Sequence, residues 1–230
     1  MKIEHTGKCI VMFFSSPRRV LSSAPYSGGF TTTDLIVNIR TSAKEMLLNP
    51  PEVIISNYLR KRSLSQRAVG FLTAAQLEYA QFVYLYENDI KILAITTAGT
   101  SNALNITEKT PTIYTGEAFT VPGTINIIII TNVHLLNDCC VSSVITATEA
   151  KSAALFDLKI KSVSSDRQAT GTGTDAVAVV SGNGKTIQYA GGHTKYGQLL
   201  GEAVYTGVKG ALTKRKVDYD RLPVICKEFD

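Results

Sequence analysis

Apolar residues in this chain fall in short runs separated by turn signals, and the period changes along the sequence. Residues 8–14 form a first apolar run, and residues 19–22 read as a short strand before the breaker-rich turn Pro25-Tyr26-Ser27-Gly28-Gly29. Residues 31–40 are β-branched and end in Asn38 and Arg40. A further strand is expected over 68–73. Residues 81–87 and 90–97 flank Asn88-Asp89, a two-residue link of hairpin type. Residues 125–131 hold four consecutive isoleucines, which leaves no polar face and predicts a strand buried on both sides.

Helical spacing is confined to three stretches. Pro50-Pro51 opens the first, with Val53, Ile54, Tyr58 and Leu59 as its stripe and basic residues at its end, where the helix dipole favours them. Asn137 is expected to cap the second, which runs to about residue 158 with Val141, Val144, Ile145, Thr148, Ser152 and Leu155 at helical spacing. The third covers residues 195–214, where Gly197 and Gly201 predict close packing. Between these, 176–180 and 185–190 read as a second hairpin around 181–184. Residues 98–105 read as a small-residue loop and 108–121 as polar and irregular. Strands that pair mainly as hairpins, with long helices late in the chain, argue for an α+β class. The expected architecture is a layered sandwich of mainly antiparallel sheet covered by helices, formed by residues 1–230 as a single domain.

Composition narrows the function classes. The 230 residues carry a net charge of +5 from 24 Lys and Arg against 19 Asp and Glu, split between residues 60–67 and 209–216. That is too little and too divided for a nucleic-acid surface. Cys9, Cys139, Cys140 and Cys226 show no zinc-ligand spacing and read as buried small residues in a reducing compartment. No apolar run is long enough for a signal peptide or a membrane span. A cytoplasmic protein with neither nucleic-acid nor membrane partners is expected; a homo-oligomer is compatible with all of this.

Candidate chemistry sits in residues 123–175. The loop TGTGTD (170–175) precedes a strand and no helix follows it, which is the wrong order for a phosphate loop. Its glycines and threonines can still bring N–H groups and hydroxyls to a ligand, and Asp175 can accept a proton or orient a neighbour. Glu149 stands among small helical residues; a glutamate buried there must be paired or protonated, which suits acid–base work. Asn126 and Asn102 are amides able to hold or polarise a carbonyl. His193 is the best-placed imidazole of three. No metal-ligand set stands out. Gly-Thr steps at 99–100, 123–124 and 171–172 raise self-cleavage before a threonine, which would free an N-terminal nucleophile.

SSAPYSGGF (22–30), NIR (38–40), VGFLTAA (69–75), TTAGTSNA (96–103), GTINI (123–127), TATEAKSAAL (146–155), ATGTGTDAV (169–177) and YAGGHTKYGQLLGEAV (189–204) occur together in this order. In this the chain resembles the adenosylcobinamide amidohydrolases over nearly its whole length. The resemblance implies a hydrolase of corrinoid salvage that cleaves the amide between aminopropanol and the corrin ring, giving adenosylcobyric acid. The corrinoid would be substrate, with no cofactor required. For such a hydrolysis the polar tracts suggest Glu149 as base, Asp175 as orienting or second carboxylate and His193 as proton donor to the leaving amine. Asn126 with the backbone of Gly171, Thr172, Gly173 and Thr174 is assigned to the oxyanion. Thr124, Asn102, Gly28, Gly29 and Asn38 complete the substrate-binding set, and Tyr26, Tyr189 and Tyr196 are candidate aromatic walls. A non-catalytic corrinoid-binding protein and an unrelated, self-processing amidase are the competing readings.

Overall fold

The computed structural model describes residues 1–109, 123–217 and 219–229. Strands β1 (Lys2–His5), β2 (Cys9–Ser22) and β3 (Gly29–Arg40) come first, followed by helices α1 (Ala43–Leu48) and α2 (Pro51–Lys61). Next are β4 (Val69–Thr73), β5 (Gln81–Glu87), β6 (Ile90–Gly99) and the short β7 (Ala103–Leu104). Strands β8 (Thr124–Thr131) and β9 (His134–Leu135) lead into the long helix α3 (Asn137–Asp157). The chain then forms β10 (Gly171–Thr172), β11 (Ala176–Val180), β12 (Thr186–Ile187), α4 (Lys195–Leu212) and α5 (Leu222–Lys227).

Among the described residues, eight strands make one sheet in the order β4-β3-β2-β11-β8-β6-β5, with β1 added to the first half of β2. Pairing is antiparallel except for β3 with β4 and β11 with β8. The class is therefore α+β with a mainly antiparallel sheet. Strand β2 absorbs two expected segments into one, with a register shift between Phe13 and Arg18. The β5–β6 hairpin turns at Asn88, whose φ of 52° is the left-handed conformation such a turn demands.

The sheet curls until its halves face each other. Ile10, Met12 and Ile36 of one half pack against Leu93, Ile95, Ile128 and Ile130 of the other. Helix α2 covers the outside of the first half, Ile55 and Leu59 meeting Val11 and Val37. Helices α3 and α4 cover the outside of the second. The isoleucine run follows from this layering. Ile125, Ile127 and Ile129 face the helices while Ile128 and Ile130 face the inner core, so both faces of β8 are apolar.

Several expectations are corrected. Residues 185–190 do not pair back onto β11: β12 runs parallel to β9 instead. The reason is a close approach, since a Cβ on Gly182 would stand 2.2 Å from the Asn132 backbone, which lets this segment dock on the β8–β9 turn. Asn137 is the first helical residue and not the cap; its Oδ1 accepts a bond of 2.8 Å from Arg19. In α2 the buried stripe is Ile54, Ile55 and Leu59, with Val53 exposed. Most of the expected irregular stretch, residues 110–121, lies outside the described residues.

Candidate active site

The ends of β3, β4 and β6 and the starts of β8 and β11 meet at one end of the sandwich. Asp175, just before β11, is the node. Its Oδ2 accepts from Lys151 Nζ at 2.5 Å and from the Thr172 N–H at 3.0 Å. Its Oδ1 accepts from Thr172 Oγ1 at 2.5 Å and from the Ile125 N–H at 2.9 Å. Four donors fill the capacity of a carboxylate, so Asp175 orients its neighbours and has no lone pair spare for a substrate proton. The pair is nearly buried, with the Lys151 and Asp175 side chains 10% and 13% exposed. Asp175 takes one of the three N–H donors of Lys151. Gly171 is glycine for a packing reason: a Cβ there would lie 2.5 Å from Asp175 Oδ2 and 2.6 Å from Lys151 Nζ.

A second layer joins the two halves of the sheet. Asn126 on β8 donates both amide hydrogens, to Asn38 Oδ1 of β3 at 3.1 Å and to the Leu72 carbonyl of β4 at 2.8 Å. Asn38 donates in turn to Thr97 Oγ1 of β6 at 3.0 Å. Both N–H groups of Asn126 are thereby used within the protein, which removes it from the oxyanion role and makes it a cross-sheet tie. Thr124 and Thr174 complete the cluster. Thr124 Oγ1 donates to the Thr174 carbonyl at 2.7 Å, and Thr174 Oγ1 donates to the Gly123 carbonyl at 2.8 Å. Asn102 packs against Gly123, and its Oδ1 is buried without a hydrogen-bond partner among the described residues.

The remaining expected residues stand apart. Glu149 is exposed, against the expectation of a buried acid. Two residues along a helix turn by ~200°, so while Lys151 points inward Glu149 points outward. His193 is exposed in the loop before α4. Gly28 and Gly29 form the β2–β3 turn, Gly29 with φ +84°, and neither touches the Asp175 cluster through any described contact. Gly173 is part of the turn between Thr172 and Thr174. Tyr196 is fully buried with its hydroxyl 3.4 Å from Ser143, and burial raises its pKa; it packs in the core under α3 and α4. Tyr189 is exposed and Tyr26 half-buried.

Lys151 is the residue that sequence reasoning passed over. Ser143, Ala147, Lys151 and Ala154 are all buried and recur at spacings of four, four and three. A lysine on the inward stripe of a helix was the available signal. Among the described residues no three His, Cys, Asp or Glu side chains gather as a metal would require, and no helix is long and apolar enough to cross a membrane.

Fold and cluster together define an α+β protein whose polar centre is a lysine–carboxylate–threonine group at the end of a curled sheet. The chain belongs to the adenosylcobinamide amidohydrolase family, whose family model matches residues 1–219. It is 31% identical to the adenosylcobinamide amidohydrolase of Methanosarcina mazei, over 84% of this chain and 90% of that protein. It is 32% identical to a protein of Methanocaldococcus jannaschii, over 93% of this chain and 88% of that one. Among solved structures, a Pyrococcus horikoshii protein aligns at TM-score 0.43 and 10% identity, covering 93% of this chain and 79% of the other. The L-aminopeptidase D-Ala-esterase/amidase of Ochrobactrum anthropi aligns at TM-score 0.39 and 10% identity, covering 96% and 85%.

Proposed function

We propose that this chain hydrolyses the amide joining aminopropanol to the corrin ring of adenosylcobinamide, giving adenosylcobyric acid and free aminopropanol. The corrinoid is substrate and not resident cofactor, and the reaction serves corrinoid salvage in the cytoplasm. One observation carries the proposal. Three motif tracts far apart in sequence, GTINI, TATEAK and TGTGTD, are tied together through Asp175 by its bonds to Ile125, Lys151 and Thr172.

Amide hydrolysis needs a donor for the developing oxyanion and a proton for the departing amine. Lys151 has the charge and the spare N–H donors for both, so these tasks are assigned to it. Asp175 fixes its direction. Thr124 and Thr172 bring hydroxyls to the same cluster. The base role expected of Glu149 fits its exposed position poorly.

Incubation with adenosylcobinamide, with aminopropanol and adenosylcobyric acid followed by mass spectrometry, tests the reaction. Lys151→Met is expected to lower turnover by ~100-fold or more, the scale of losing a transition-state donor. Glu149→Gln is expected to stay within about tenfold, as for an exposed carboxylate outside the donor set. Corrinoid binding with no aminopropanol released would leave a binding protein in place of a hydrolase. A Lys151→Met variant at the wild-type rate would take the lysine out of the chemistry.

A further inference from the structure

We propose that the chain cuts its own backbone between Gly123 and Thr124, leaving Thr124 as a new N-terminal residue next to Ile125, whose N–H is held by Asp175. The cut follows from the surroundings of the Gly123 carbonyl and does not depend on the substrate. The use of Thr124 as nucleophile toward the corrinoid amide rests on the hydrolase reading above.

The three Gly-Thr steps are not alike. At Gly99-Thr100 a glycine Cβ would meet only Ala75, at 3.8 Å, an ordinary contact. At Gly171-Thr172 both the hydroxyl and the amide N–H of the threonine are bound to Asp175. At Gly123-Thr124 the carbonyl between the two residues receives a side-chain hydroxyl, Thr174 Oγ1 at 2.8 Å. A donor on that oxygen lies where negative charge would form if the carbonyl carbon were attacked. The hydroxyl of Thr124 is the adjacent group able to attack it.

Two further features favour this step. Gly123 is sterically required, since a Cβ there would lie 2.1 Å from Asn102 Oδ1. That Oδ1 is buried without a partner among the described residues, an arrangement costly to keep. Cleavage creates an ammonium group on Thr124 and so supplies new donors beside this acceptor. Asp175 meanwhile holds the Ile125 N–H, anchoring the residue after the new terminus.

The chemistry balances without a co-reactant other than water. Thr124 Oγ1 bonds to the Gly123 carbonyl carbon, the Gly123–Thr124 C–N bond breaks, and the hydroxyl proton ends on the released amine. Water then hydrolyses the resulting ester, giving a Gly123 carboxylate and restoring the Thr124 hydroxyl. Topology keeps the pieces together. Residues 1–123 contribute β2, β5 and β6 to the sheet, and residues 124–230 contribute β8 and β11 between them.

The test is mass spectrometry of the full chain under denaturing conditions, with N-terminal sequencing. Two species are expected, 1–123 and 124–230, that co-elute as one particle under native conditions. Thr124→Ser should retain the cut, Thr174→Val should slow it, and Thr100→Ala should leave it unchanged. Thr124→Ala should abolish it while circular dichroism shows a native fold. A folded wild-type protein that persists at 24.9 kDa, or a cut that survives in Thr124→Ala, overturns the proposal. An uncut protein that releases aminopropanol would sink self-cleavage and leave the hydrolase. A cut protein that releases none would do the reverse.

Discussion

Lys151 Nζ and Asp175 Oδ2 stand 2.5 Å apart across 24 residues of sequence, and both side chains are almost fully buried. Taking two charges out of water is costly, and the pair persists only because each charge answers the other and the threonine and backbone donors satisfy the rest.

Breaking the pair from one side should therefore be severe. Lys151→Met leaves a buried carboxylate without its cation, and Asp175→Asn leaves a buried ammonium without its anion. Each single change is expected to cost ~3–5 kcal/mol in urea unfolding. The double variant should cost clearly less than the two added together, because it leaves no uncompensated charge. Additive losses would mean that the two groups do not interact in solution.

Gly171 allows a steric test of the same site that removes no charge. Gly171→Ala inserts a methyl 2.5 Å from Asp175 Oδ2, so the ion pair must separate or the backbone of β10 must move. Where the pair holds, strand β10 must shift on β7, its antiparallel partner. A loss of ~1–3 kcal/mol is expected from overpacking, with a matching loss of turnover. Gly191→Ala is the control, since nothing lies within 4 Å of its Cβ position. That variant should unfold within ~0.5 kcal/mol of wild type. Equal behaviour of the two would show that the space around Gly171 is not restrictive.

Asn126 should matter for stability more than for oxyanion binding. Asn126→Ala removes the donors to Asn38 Oδ1 and the Leu72 carbonyl and leaves buried acceptors unsatisfied. The expected cost is ~1–3 kcal/mol in denaturant unfolding. Asn126→Asp keeps the shape but replaces the NH2 group with an acceptor facing two acceptors, and should be at least as damaging at neutral pH. An Asn126→Ala protein as stable as wild type but much slower in turnover would restore the amide to the chemistry.

Local pattern was enough for the elements and not for their assembly. The isoleucine run of β8, the Asn88-Asp89 hairpin and the proline start of α2 are decided by neighbouring residues, and each is found where the pattern puts it. The hairpin expected around 181–184 fails because β12 finds its partner far upstream, Thr186 pairing in parallel with His134 on β9. The site follows the same division. TATEAK and TGTGTD were recognisable as chemistry-bearing tracts, but which TATEAK residue reaches Asp175 depends on helix phase. Glu149 drew attention as the lone acid, while the phase set by Ala147 and Ala154 turns Lys151 inward. The Asn38–Asn126 tie was out of reach, because it exists only once the sheet curls and brings β3 over β8.

Cys139 gives an alkaline signature of the α3 packing. The thiol is wholly buried against the sheet, and desolvation, with the neighbouring Cys140 and Asp138 adding to it, pushes its pKa from the ordinary thiol value of 9.0 up to about 11. Below pH 9 the folded and unfolded chains both keep this proton. Between about 9 and 11 the unfolded chain loses it while the folded chain retains it, so the unfolded state binds fewer protons and stability falls as pH rises. Urea midpoints measured from pH 8 to pH 10.5 should decline, and the decline should be shallower in Cys139→Ala. The same burial should make the thiol slow to react with alkylating agents until the protein unfolds. Rapid alkylation of Cys139 in the native protein, or identical pH slopes for the two proteins, would mean that α3 does not seal this thiol from water.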